Sequence, residues 1–122
     1  MIEASRYIFR TEYVRADGTV LKEAFLPPGM PRPFEPSVNL HTGKPIEWSV
    51  GRDIGNRRNK TLIGSAEFTD GDTVEASLSL SAAPSLENPN HAVIIGWDEI
   101  DDLHRREQAD MLAERAFFVQ AG

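Results

Sequence analysis

A chain of 122 residues with 40% hydrophobic and 26% charged side chains has the composition of one globular domain and leaves no room for a second domain with its own core. It contains no cysteine, which excludes a disulfide framework, a thiolate metal site and a cysteine nucleophile. The formal charge of −6 argues against general nucleic-acid binding, but it is unevenly spread: residues 1–60 carry ten Lys or Arg against seven acids, net +3, and residues 61–122 carry three against twelve, net −9.

The opening Met1–Arg6 places an acid at Glu3 and has no apolar signal core. The longest apolar stretch, Ala92–Ile95, is far too short to span a bilayer, so a cytoplasmic protein of bacterial style, away from membranes, is expected. Between Arg6 and Arg15, Tyr7, Phe9, Thr11 and Tyr13 alternate with Ile8, Arg10, Glu12 and Val14, the period-two pattern of a strand. Asp17-Gly18 then supplies a turn and Val20–Leu26 a returning strand, a first hairpin. Prolines 27, 28, 31, 33 and 36 remove backbone donors and disfavour helix before each of them, which predicts an extended connection. That 27–36 segment reads as a stiff link across the sheet edge, with a docking peptide for an aromatic groove as its functional alternative.

Pro45 can open a helix in which Ile46, Val50 and Ile54 recur every four residues beside Trp48, so a short helix over about 45–55 is expected, weakened by Gly51 and Gly55. Val74, Ala76, Leu78 and Leu80 alternate with Thr73, Glu75, Ser77 and Ser79, the pattern of a half-buried strand. Pairing with Leu62–Phe68 through the loop Thr69-Asp70-Gly71-Asp72 would make a second hairpin. After a polar loop bracketed by Pro84 and Pro89, His91–Gly96 reads as a short central strand buried on both faces. From Glu99 to Val119 a helix is expected, with Leu112, Ala116 and Val119 on one stripe and Met111 and Phe118 beside it. Asp98, Glu99, Asp101 and Asp102 crowd its first turn, where free backbone N–H groups favour anions, and Asp98 is the natural N-cap. The expected fold is a single α+β domain over residues 1–122. Its antiparallel sheet has about five strands, two hairpins plus a buried strand, packed by a C-terminal amphipathic helix and one short middle helix.

Ser5-Arg6-Tyr7 with Phe9, Phe25-Leu26-Pro27-Pro28, and His91–Trp97 ahead of a terminal helix together resemble a group of small uncharacterised bacterial proteins. That resemblance implies a mobile-element or phage-defence setting and no particular chemistry.

No phosphate-binding glycine loop, nucleophile elbow, kinase or zinc-protease motif occurs, so the sequence names no reaction. His91, which opens the buried strand, is a candidate general acid or base, and otherwise a loop-capping side chain. His41, in the loop before Thr42-Gly43, is its candidate partner for a phosphodiester reaction, with Arg6 or Arg57 holding phosphate. His104, on the polar side of the terminal helix, reads as solvated. Histidines at 41, 91 and 104 lack paired ligand spacing, and the acids at 98–102 follow no calcium-loop pattern, so neither metal nor cofactor is expected. Arg52, Arg57, Arg58 and Lys60 form the one basic cluster, a solvated loop by default and a candidate RNA or phosphate contact. Trp97 is equally an interface anchor or a core lid. The functional expectation is a non-enzymatic interaction or accessory module. Its acidic helix, with Trp97, Asp98, Glu99, Asp101 and Asp102, would meet a protein partner that is basic or processes nucleic acid, or a second copy of itself. The alternative is an RNA-binding or RNA-cleaving protein using His91, His41 and the Arg52–Lys60 segment.

Overall fold

Alternating side chains on β1 (Glu3–Ile8) face two unlike environments, and the rest of the chain is arranged to cover both. The structure, a computed structural model, describes residues 1–122. Along the chain follow β2 (Ser37–Leu40), α1 (Trp48–Arg58), β3 (Gly64–Thr69), α2 (Asp70–Glu75), β4 (Ser79–Ala82), β5 (His91–Ile95), α3 (Asp102–Arg115) and β6 (Phe117–Gln120). The strands form one antiparallel six-stranded sheet in the order β4-β5-β2-β1-β3-β6. The fold is thus α+β, and no helix is long and apolar enough to cross a membrane.

Register assigns the two faces. Ala4 of β1 lies opposite Leu40 and Phe68, Ala92 opposite Val38 and Ala66 opposite Phe118. This apolar face packs with Ile94, Phe25 and the buried stripe of α3, Ala109, Leu112 and Ala113, to form the core. Phe25 meets Phe68 edge to face at 5.3 Å. The other face carries a row of polar residues, His91–Asn39–Ser5–Glu67, each opposite the next across β5, β2, β1 and β3. Helix α1 crosses this polar face. Gly51 permits the approach, since a Cβ there would lie 2.8 Å from the Tyr7 ring and 3.0 Å from Leu62. The helix ends at Asn59, which takes a left-handed φ of 54° and bonds back to Gly55 and Asn56 carbonyls.

Several expected elements take another form. Neither expected hairpin forms. The Asp17-Gly18 turn exists, with Thr19 N–H donating to Asp17 Oδ1 at 2.9 Å, but it closes only one bridge, Val14 to Val20, between 3-10 turns at Thr11–Tyr13 and Lys22–Ala24. Strand β1 pairs instead with β2, drawn from the end of the proline-rich segment, and with β3. The Thr69–Asp72 loop is a capping box that starts α2: Asp72 N–H donates to the Thr69 hydroxyl, and Thr69 N–H to the Asp72 carboxylate at 2.9 Å. Val74 is accordingly exposed, while Ala76 and Leu78 are buried on either side of Ser77, whose φ is 58°. Strand β5 is next to the edge, with Ala92 and Ile94 buried and His91, Val93 and Ile95 half-buried. The terminal helix stops at Arg115, after which Phe117–Gln120 adds the edge strand β6. Asp101, not Asp98, is its N-cap, accepting from Leu103 N–H at 3.0 Å.

Gly51→Ala should cost about 1 kcal/mol or more in urea denaturation, because the Tyr7 ring, pinned by its hydroxyl to the Glu47 carbonyl at 2.6 Å, cannot move aside. That cost is what remains after the ~1 kcal/mol of helix propensity which alanine gains. Gly71→Ala in α2, whose Cβ would meet only the Thr69 hydroxyl at 3.6 Å, should leave stability level or raise it by up to ~1 kcal/mol. Equal effects of the two substitutions would refute this packing argument.

Candidate functional site

The centre of the polar face is a hydrogen-bond network in which the Ser5 hydroxyl stays unpaired. His41, in the turn after β2, has its Nδ1 2.9 Å from the Lys44 carbonyl and its Nε2 2.7 Å from Glu67 Oε1. A carbonyl only accepts, so Nδ1 carries a proton, and the ring gives its second proton to the carboxylate as an imidazolium. The other carboxylate oxygen, Glu67 Oε2, accepts from the Ser65 hydroxyl at 2.5 Å. Burial pulls the His41 imidazole down, but the Lys44 carbonyl and Glu67 outweigh it and leave its pKa above the usual 6.5. Both side chains of this pair are at most 6% exposed, so they hold the fold and meet no ligand.

Beside that pair, Glu47 Oε1 accepts from the side-chain amides of Asn39 and Asn90, each at 2.9 Å, and is held below the usual glutamate range by the Asn39 bond first. Asn39 Oδ1 accepts in turn from the Asn88 amide at 2.9 Å. Tyr7 donates to the Glu47 carbonyl, and burial, then the Glu47 and Glu67 charges, raise its phenol well above the ordinary value, so the ring stays a donor.

Around the end of α1 the surface is different in kind. Three confluent clefts, of about 390, 530 and 230 Å³, share Arg58 and run from His91 past Ser37 and Tyr7 to Tyr13 and Lys60. Arg57 lines the first and Arg6 the other two. Arg6, Arg57, Arg58 and Lys60 form no ion pair with any carboxylate. Arg6 is half-buried and spends its donors on two carbonyls, Nε to Ala24 and Nη1 to Ser37, both at 2.9 Å. Burial, then repulsion from Arg58, lowers its pKa to about 10, so this cation is charged at neutral pH without a compensating anion. Arg57 and Arg58 stand in the last turn of α1, where the helix dipole also favours cations. Tyr7, Phe9 and Tyr13 interleave with these charges along the walls.

The two candidate histidines do not share a cleft. His91 faces the groove with Arg57 and Arg58, whereas His41 is enclosed with Glu67. Arg52 is tied to the Gly122 carbonyl. Trp97 is 5% exposed, packed in the core, and donates to the Ile94 carbonyl at 2.9 Å. The acidic cluster is occupied within the chain. Asp98 accepts from Asp101 and Ile100 N–H and from His104, and these bonds, the Asp101 backbone first, hold its carboxyl at about 2. The same bond to Asp98 raises the exposed His104 imidazole above its ordinary value. Asp101 caps α3, Asp102 pairs with Arg105 at 2.6 Å and Arg106 at 2.9 Å, and Glu99 accepts from Phe34 N–H. A further cleft of about 500 Å³ lies by α3, where Arg105 and Arg106 on its wall share the carboxylate of Asp102. No three His, Asp or Glu side chains converge to hold a metal ion.

The His41–Glu67 pair has a definite pH signature. A folded-state pKa raised above 6.5 means that its stabilisation is complete below that value and fades as pH climbs through the folded-state value. The stability difference between wild type and His41→Gln should therefore shrink as pH is raised above about 6.5 in urea titrations, a comparison in which the exposed His104 cancels. A difference constant with pH would refute the imidazolium assignment.

The chain matches no protein-family model, no curated protein and no solved structure, so its function must be argued from its own side chains.

Proposed function

We propose that the protein binds single-stranded RNA along the groove that Arg6, Arg57, Arg58 and Lys60 line. The observation that carries this reading is the set of cations without carboxylate partners, interleaved with the half-buried Phe9 and Tyr13, on one concave surface. Phosphates neutralise such guanidinium and ammonium groups and release counterions, and unpaired bases gain about 1–3 kcal/mol each by stacking on aromatic rings. Carboxylates on the same walls, Glu35, Asp53 and Glu87, suit the ribose hydroxyls and base amino groups that a single strand exposes.

The net −6 of the chain does not oppose this, because seven of its nineteen acids, from Asp98 to Glu114, lie on α3 and the turn leading into it. Helix α3 and the turn leading into it, with most of the second-half acids, pack on the apolar face, while α1, which carries Arg57 and Arg58, crosses the polar face. Helix α3 makes the poorer docking surface, since Asp98, Asp101 and Asp102 already accept from donors of the chain itself.

Fluorescence anisotropy with a labelled single-stranded RNA tests this. Binding should weaken with salt, and Arg58→Glu or Lys60→Glu should weaken it further and flatten the log–log salt slope by about 0.7 for each phosphate no longer neutralised. Arg106→Glu, on α3, should bind as wild type does. RNA left unbound at low salt, or bound equally by Arg58→Glu, would overturn the proposal.

A further inference from the structure

His91 stands at one end of the groove, with Arg57, Arg58, Ser37 and Asp53 on the same walls. Its ring is held in one state: Nδ1 lies 2.8 Å from the Ala83 carbonyl, which only accepts, so the proton of the neutral imidazole sits on Nδ1. Nε2 then keeps a free lone pair, and no protein group bonds to it. This is the arrangement that prepares a histidine to take a proton, a carbonyl behind the ring fixing its tautomer and orientation. His41 offers the contrast, because both of its nitrogens are engaged inside the fold. The backbone around His91 is equally fixed, with its N–H donating to Asn88 and its carbonyl accepting from Ala83 N–H at 2.9 Å.

From this geometry we infer that the groove cleaves the RNA it binds, with His91 Nε2 as the general base; the inference rests on the RNA-binding reading. His91 takes the proton of a ribose 2′-hydroxyl, and the 2′-oxygen attacks the adjacent phosphorus. The new O2′–P bond replaces the P–O5′ bond, leaving a 2′,3′-cyclic phosphate on one fragment. The departing 5′-oxygen takes a proton from water, and the hydroxide so formed recovers the proton held on His91. No redox change or further reagent is needed. Arg57 and Arg58 supply the positive charge that the additional negative charge on the phosphoryl oxygens requires in the transition state.

Wild type and His91→Gln, prepared side by side, are incubated with the same labelled single-stranded RNA, with DNA and with 2′-O-methyl RNA of that sequence. Glutamine keeps an amide donor for the Ala83 carbonyl, and continued RNA binding by the variant reports that it is folded. Wild type should yield fragments ending in 2′,3′-cyclic phosphate and leave the DNA and the 2′-O-methyl strand intact. His91→Gln should cleave about 10²- to 10⁴-fold more slowly. RNA bound but uncut, or cut as fast by His91→Gln, overturns the cleavage inference and leaves strand binding standing. Failure of wild type to bind RNA overturns both.

Discussion

A sheet with a polar row through its middle imposes the constraint to which the other elements answer. His91, Asn39, Ser5 and Glu67 lie side by side across four strands, and Ser5, Asn39 and Glu67 are buried. Each buried polar group left without a partner costs about 1–3 kcal/mol; neighbouring loops supply partners to Asn39 and Glu67, and the Ser5 hydroxyl stays unpaired. The turn after β2 brings His41 to Glu67, the segment before β5 brings Asn88 and Asn90 to Asn39 and Glu47, and Tyr7 fastens the start of α1. Helix α1 has few apolar residues with which to hold its place, Val50 and Ile54 among them, so hydrogen bonds and the close approach at Gly51 locate it. Arg57 and Arg58 reach the groove because the network fixes the helix that carries them.

On the apolar face the logic is ordinary hydrophobic burial, and its consequence is electrostatic. Leu112 and Ala109 draw α3 onto the sheet, and Gln108 stitches it down by donating to the Ala76 and Gly96 carbonyls. Arg105 is buried under Phe34, 4.2 Å from the ring centroid, and neutralised by Asp102. All three cations of the second half, Arg105, Arg106 and Arg115, are paired with aspartates. Arg57, Arg58 and Lys60 at the end of α1, and Arg6 on β1, have no such partner. A net charge thus conceals a group of cations without ion-pair partners around the end of α1.

Where sequence and structure part, the causes are local and specific. Alternation from Val74 to Leu80 mimics a strand because a short capped helix and a left-handed Ser77 happen to bury Ala76 and Leu78 two residues apart. The Thr69-x-x-Asp72 capping box was a visible sign of that helix, though Asp70-Gly71 within it is also a common hairpin turn. In the last segment, Ala116 and Val119 continue the helical stripe of Leu112, yet Phe117–Gln120 is equally a short apolar strand, and periodicity over four residues cannot separate the two. Free space along β3 decides in favour of β6.

Composition, turn chemistry and helical spacing are encoded among near neighbours, so the class of the domain, the turn at Asp17-Gly18, the middle helix and the half of the chain in which basic residues gather were all legible in the sequence. Which residues meet was not, because that depends on pairings between distant segments. His41 and Glu67 are 26 residues apart, and Arg6 and Arg58, 52 apart, line one cleft. The fold also separated the two histidines, enclosing one and leaving the other open to the groove, since strand register assigns each side chain to a face and loop closure decides what covers it.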